Sequence, residues 1–185
     1  SYLRSQSTSR RTSFSVKQLE QQAKFALMVK FLQSMTPLLN VSFRNYAVEM
    51  SGFNNAMRYN LLNAVTGTYP AYDVDYSLAL VSRGDLPNAQ NPTAASTVAG
   101  TVAFQWTNNS GVGKALPTDA SLLVVYCPER NQCIYTTLGA ARSTGSDTLS
   151  VPAFSGLEVQ TFVGFLSADS KAFASSVYTG TLTVA

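Results

Sequence analysis

The 185-residue chain is 45% apolar and 12% charged, with a formal net charge of +3. It has no histidine, which excludes His-based triads, His metal sites and His-based pH switching, and its two cysteines cannot by themselves close a zinc site. Charged residues stand at about half the usual quarter, a composition suited to broad contacts with other subunits, and no run approaches the roughly 18 apolar residues that span a bilayer.

Charge divides the chain. Residues 1–66 carry eight Lys/Arg and two Asp/Glu, whereas residues 67–185 carry five and eight. Texture changes at the same place, from helical spacing to a mixture rich in Val, Thr, Ser, Tyr and Gly.

Residues 1–14 begin "SYLRSQSTSRRTS" and read as a basic, extended arm. Residues 15–70 read as a helical assembly region. Ser15 and Gln18 have the spacing of a capping box, and Phe14 and Leu19 that of a hydrophobic staple. A helix is expected from Val16 to Met35, with one stripe through Leu19, Ala23 and Ala26/Leu27 and a second through Phe25, Met28/Val29 and Leu32. A helix apolar on two sides is sandwiched between partners. Thr36-Pro37 reads as a cap and first helical position for a second helix over 37–48. Ser51 caps a third, ended by Gly67, whose other face carries Asn54, Asn55, Asn60 and Asn63. That amide face suits either an interface or plain solvent.

Residues 71–97 read as a strand and linker. "DVDYSLALVS" alternates Val74, Tyr76, Leu78 and Leu80 with Asp and Ser, and Gly84, Pro87 and Pro92 follow as breakers. Residues 98–185 supply strand candidates at 98–107, 119–127, 132–138, 147–151, 158–167 and 174–184, punctuated by "NNSGVG", "PERNQ", "RSTGSD" and "ADSK". Together these predict an α+β protein: three helices followed by an Ig-like or fibronectin-III-like antiparallel β-sandwich.

Several short stretches resemble functional devices. Arg83-Gly84-Asp85 matches an adhesion triplet, but it falls where a strand ends and a glycine with positive φ suits a turn. "GVGKAL" (111–116) lacks the full phosphate-loop pattern and opens no helix. Cys127 and Cys133 flank "PERNQ" on two arms of a hairpin, as a disulfide or as two thiols. Asp73 and Asp75 form an acidic pair without the opposed geometry of a glycosidase or the ligand number of a calcium site. Arg4, Arg10, Arg11, Lys17 and Lys24 suit phosphates or an acidic neighbour. The interleaved aromatics of a nucleic-acid binder are missing, and the acidic C-terminal part offers a protein partner, so nucleic acid is not expected.

"YLRS" with "SRR", "KQLEQQAKF", "NAVTGTYP", "DYSLALVSRGDLP", "VAFQWTNNSG", "TDASLLVVYCP", "GAARS" and "SVYTG" extend over nearly the whole chain. On these the chain resembles a bacterial family of proteins of about two hundred residues with no assigned activity. The resemblance implies a Gly-rich segment ahead of "YLRS", whose removal before assembly would suit a polymerising subunit. Separately, Trp106, "LLVVY" and "VPAFSGLEVQTFVGF" resemble a fibronectin type III or immunoglobulin-like sandwich, with Phe162 or a neighbour where the sixth-strand tyrosine is expected.

The chain therefore reads as a non-enzymatic structural subunit that self-assembles into a filament, a sheet or part of a phage-like particle. Its expected interface is Phe25, Met28, Val29, Leu32, Arg10 and Arg11, and no cofactor is expected. The second reading is an adhesion module binding a glycan or protein through Tyr126, Tyr135 and Tyr178. An extracellular, cell-surface or virion setting fits either; a cytoplasmic one stays open.

Overall fold

Residues 13–185 are described by a computed structural model. The expected capping box forms: the Ser15 hydroxyl accepts from the Gln18 amide, and Gln18 Oε1 accepts from the Ser15 amide at 3.0 Å. It starts α1, Val16–Leu32, which tightens into a 3-10 turn over Gln33–Met35. Next comes α2, Thr36–Ser42, only seven residues long, and a 3-10 turn at Arg44–Tyr46. Thr36 does not cap it; its hydroxyl donates to the Gln33 carbonyl at 2.9 Å. Helix α3 is Gly52–Asn63, with Ser51 Oγ accepting from the Asn54 amide at 3.1 Å as expected.

Among the described residues, two helices of ordinary length, α1 and α3, therefore stand where three were expected. The middle one shrinks because its C-terminal half is drawn toward another loop. Arg44 Nη2 donates to the Ser170 carbonyl at 2.6 Å, and Asn45 Nδ2 to the Lys171 carbonyl at 3.0 Å.

Helix α3 ends at Asn63, with Ala64 as its C-cap, rather than near Gly67, which instead has φ +86° inside a hairpin of β1, Val65–Thr68, and β2, Ala71–Val74. The strand expected to continue through "DVDYSLALVS" stops at Val74. Asp75 accepts from both the amide and the hydroxyl of Ser77, and Leu78 N–H bonds back to the Asp75 carbonyl at 3.2 Å. Such local side-chain bonds offer the backbone an alternative to a ladder. The segment is then fixed by Asn60, whose carboxamide both accepts from the Leu80 amide at 2.9 Å and donates to its carbonyl at 3.0 Å.

Among the described residues, seven strands form the sandwich: β3 (Gln90–Ala95), β4 (Thr101–Thr107), β5 (Ala120–Cys127), β6 (Gln132–Thr136), β7 (Ser146–Ser150), β8 (Glu158–Leu166) and β9 (Val177–Thr183). One sheet is β3-β4-β7 and the other β6-β5-β8-β9, all pairs antiparallel. In an immunoglobulin constant-type sandwich the fourth strand joins the sheet of the first two. Here the fourth, β6, stays beside β5, so the sandwich divides three and four. The six strands expected between residues 98 and 184 are present as β4 to β9. β3 was not expected because Asn91-Pro92 reads as a break; the chain absorbs it at a sheet edge by a register shift between Gln90 and Thr93, with Asn91 at φ +48°.

The sheet β6-β5-β8-β9 is covered on both faces. Leu123, Val125, Val163 and Phe165 point inward against Val102, Phe104 and Trp106 of the opposite sheet. Leu122, Val124, Tyr126 and Phe162 point outward, and there they meet Met28, Phe31, Leu32, Leu39 and Phe43 of the helical layer. The molecule thus has three layers: helices, four strands, three strands. Phe31 is the joint, with its ring edge-on to Tyr126 at 5.0 Å and to Tyr76 at 5.3 Å.

Arg142 pins one end of the sandwich from inside. It is fully buried, bonded through Nε to Asp119 at 3.1 Å, through Nη1 to Asn109 at 2.8 Å and through Nη2 to the Pro87 carbonyl at 3.1 Å. Its guanidinium lies 3.7 Å from the centre of the Phe165 ring, and its carbonyl accepts from Trp106 Nε1 at 2.8 Å. Burial pulls its pKa below the ordinary arginine value, while Asp119 opposes that shift. The three loops it joins keep their paths because a buried guanidinium must have its donors satisfied.

Candidate functional site

Packing onto the sandwich uses one side of each long helix. Met28 and Leu32, expected at an intermolecular interface, are fully buried in the chain's own core. The outer face of the central sheet is itself apolar and takes up that stripe of α1. Val29 is partly buried against the same core, whereas Phe25 is 55% exposed. Arg10 and Arg11 lie outside the described residues.

Phe25 stands on one wall of an open groove of about 1210 Å³ between α1 and α3. Gln22 and Ala26 share its wall; Phe53, Met57 and Leu61 of α3 form the other, and Leu62, 76% exposed, stands on the lip. Among the described residues, the ionic side chains lining it are Lys24 and Arg58, both cations, with no carboxylate. Lys24 Nζ sits 4.9 Å over the Tyr72 ring, so one end of the groove abuts β2. An open, apolar, cationic trough can hold an apolar ridge flanked by carboxylates.

Beyond β2 lies a smaller polar cleft of about 390 Å³, lined by Asp73, Asp75 and Glu158 with Tyr76, Gln160 and Tyr178. Among the described residues, no Lys or Arg lines it. Gln160 Oε1 accepts from Tyr178 Oη at 2.6 Å and from Thr181 Oγ1 at 2.9 Å. Burial, the largest effect, raises the Tyr76 pKa. Of the three tyrosines named as ligand contacts, Tyr178 alone lines this cleft. Tyr126 is buried under Phe31, with its hydroxyl donating to Asn131 at 3.0 Å and its pKa pushed up to about 12, chiefly by burial. Tyr135 is partly buried against the helical core.

The remaining motifs resolve as structure. Cys127 and Cys133 form no disulfide: Cys127 pairs with Gln132 across the ladder and Cys133 with Tyr126. The thiols therefore face opposite sides of the sheet, Cys127 into the sandwich and Cys133 toward the helices. An oxidising compartment loses that support. In the Arg83-Gly84-Asp85 triplet, Arg83 lies between the rings of Tyr46 and Tyr59, 4.6 and 5.2 Å away, and Asp85 accepts from the Tyr46 hydroxyl. Gly84 is required for closeness, not for positive φ: an added Cβ would sit 1.8 Å from the Phe173 carbonyl oxygen. "GVGKAL" lies in the loop joining β4 to β5. The amide face divides too, with Asn55 and Asn60 buried as internal clamps and Asn54 and Asn63 exposed. Among the described residues, no group of three or more Cys, Asp or Glu is placed to hold a metal ion.

The match to a family model runs over residues 1–180, nearly the whole chain. The chain belongs to DUF6266, a family of unknown function. No curated protein matches this DUF6266 chain. Among solved structures, it is similar to the solution structure of the fibronectin type III domain of human collagen alpha-1(XX) chain. That likeness has 14% identity and a TM-score of 0.39, and covers 54% of this chain and 85% of that one. No helix of the DUF6266 chain's described residues is long and apolar enough to cross a membrane, which says nothing of strands that could.

Proposed function

We propose that this DUF6266 member is a non-enzymatic structural subunit that associates with further copies of itself through the α1–α3 groove. One observation carries the reading. After the helices have covered the central sheet, Phe25 and Leu62 still stand exposed beside an apolar trough. Exposed contiguous apolar surface of this kind marks contact sites. The low charge of the chain supports the same reading. The expected interface contracts accordingly: Phe25 stays in it, Val29 packs half-buried against the core outside the groove lining, and Met28 and Leu32 leave it for the core.

Light scattering coupled to size exclusion, over a range of concentrations, tests the proposal. Native protein should give a mass above one chain that rises with concentration, and Phe25→Asp with Leu62→Asp should return it to the monomer. A strictly monomeric native protein at the highest concentration would end it.

A second reading, a binding module for a glycan or protein, draws on the cleft around Tyr178, Gln160 and Glu158, where an aromatic ring stands among hydrogen-bonding groups. A glycan array probed with native protein and with Tyr178→Ala tests it; equal, background signals would remove it.

A further inference from the structure

Resting on the self-association just proposed, we infer that the occupant of the α1–α3 groove is the acidic edge of a second copy, formed by Asp73, Asp75 and Glu158 with Leu78 as its apolar ridge. The groove and this edge are complementary in kind. Among the described residues, Lys24 and Arg58 are the ionic residues of the groove, with no carboxylate beside them. Asp73, Asp75 and Glu158 are, among the described residues, the ionic residues of the cleft, with no cation beside them. Leu78, 55% exposed on the turn that Asp75 closes with Ser77, gives that edge an apolar side chain to bury.

The two surfaces abut. Lys24 stacks on Tyr72, and Asp73 is the next residue along β2, with its side chain on the other face of the strand. Two neighbouring, mutually complementary patches on one molecule meet the condition for an isologous contact. Under a two-fold axis near β2, each copy gives its acidic edge to the other's groove. The exchange closes on itself, so the product is a dimer rather than an open chain. Opposite charges at such a contact also set register and exclude wrong pairings.

Charge reversal tests the pairing. Lys24→Glu/Arg58→Glu makes the groove acidic; Asp73→Lys/Glu158→Lys makes the edge basic. Arg58, Asp73 and Glu158 are exposed and Lys24 is half-buried; far-UV circular dichroism checks that each double variant folds. By sedimentation velocity, native protein should be a dimer that weakens as salt rises. Each double variant alone should dissociate about tenfold or more readily, in line with the loss of close interfacial charge pairs. An equimolar mixture of the two should recover the dimer, because both contacts then join opposite charges.

If both variants dimerise like native protein while Phe25→Asp does not, the charged pairing is wrong although association through the groove stands. If native protein assembles beyond two copies, the closed arrangement is wrong. If native protein is monomeric throughout, both this pairing and self-association through the groove fall.

Discussion

Cys133 stands across from Tyr126 on the β5–β6 ladder, one residue out of step with Cys127. That offset decides the chemistry of both thiols. A pair on opposite faces of one sheet cannot approach to the Cβ separation of about 3.5–4.5 Å that a disulfide needs. Alkylation of the unfolded, unreduced protein should therefore label both cysteines, even after exposure to an oxidant. In the native fold, Cys127 should react with a thiol reagent only at the rate of unfolding, since it is fully buried.

The same pair of neighbours makes the fold sensitive to alkali. Burial pushes the Cys133 thiol from 9.0 up to about 12 and, as the largest effect, the Tyr126 phenol from 10.0 up to about 12. Both groups are neutral when protonated, so the folded state holds its protons above the pH at which the unfolded chain releases them. Their contribution is complete below pH 9 and is lost as pH rises from 9 toward 12. Each open gap lowers stability by at most about 1.4 kcal/mol per pH unit. Urea unfolding at stepped pH should show the decline starting near pH 9, and Cys133→Ala should delay its start to near pH 10, where the tyrosine begins to titrate.

Much of the sandwich is legible in the sequence because most of its strands alternate or end at strong turn residues. The feature hidden from a linear reading is where the helices go. "SLLVVYC" of β5 is buried at every residue, and so is β8 after Glu158. Strands buried at consecutive residues in this way, as the apolar run "LLVVYC" of β5 signals, belong to a sheet covered on both faces. Read with the twice-apolar helix, they place the helices on the protein's own sheet. The alternation of "DVDYSLALVS" misleads for the opposite reason, since the Asp75–Ser77 bonds outweigh the period. The groove is less legible: Phe25 is visible as apolar, but its exposure depends on how α3 crosses α1. Arg142 carries no signal at all, because nothing local distinguishes a buried arginine from a wet one.

Phe31 and Phe25 should separate the two roles of α1. Phe31 joins helix to sheet and is fully buried. Phe31→Ala should cost about 3–5 kcal/mol in urea unfolding, as for other core aromatics. Phe25→Ala should change stability by less than about 0.5 kcal/mol, the usual range for surface positions, while weakening association. A similar stability loss at both positions would mean that the outer face of α1 is covered within one chain.

Arg142→Ala should be among the most destabilising single changes in the sandwich. It leaves the carboxylate of Asp119 buried without its cation and frees the Asn109 amide oxygen and the Pro87 carbonyl. Breaking a buried pair from one side costs about 3–5 kcal/mol. The paired replacement Arg142→Met with Asp119→Leu should recover part of that loss, because no charge is left stranded. Full additivity of the two single changes would show that the side chains do not act as a unit.

The Arg83-Gly84-Asp85 triplet should behave as a tether and not as a ligand. Its backbone is held against the loop joining β8 to β9: Asp85 bridges to Ala174, and the Leu86 amide donates to the Phe173 carbonyl at 3.1 Å. Arg83 is occupied by two tyrosine rings and Asp85 by a hydroxyl, so a receptor would have to strip both before reading them. Gly84→Ala must push a methyl into the Phe173 carbonyl, and overpacking of this sort costs about 1–3 kcal/mol or more. A lower denaturation midpoint for Gly84→Ala should therefore accompany unchanged attachment of receptor-bearing cells to immobilised native and Asp85→Ala protein. Attachment that depended on Asp85 would show that the triplet leaves its tyrosine partners, and the tethering account would then fail.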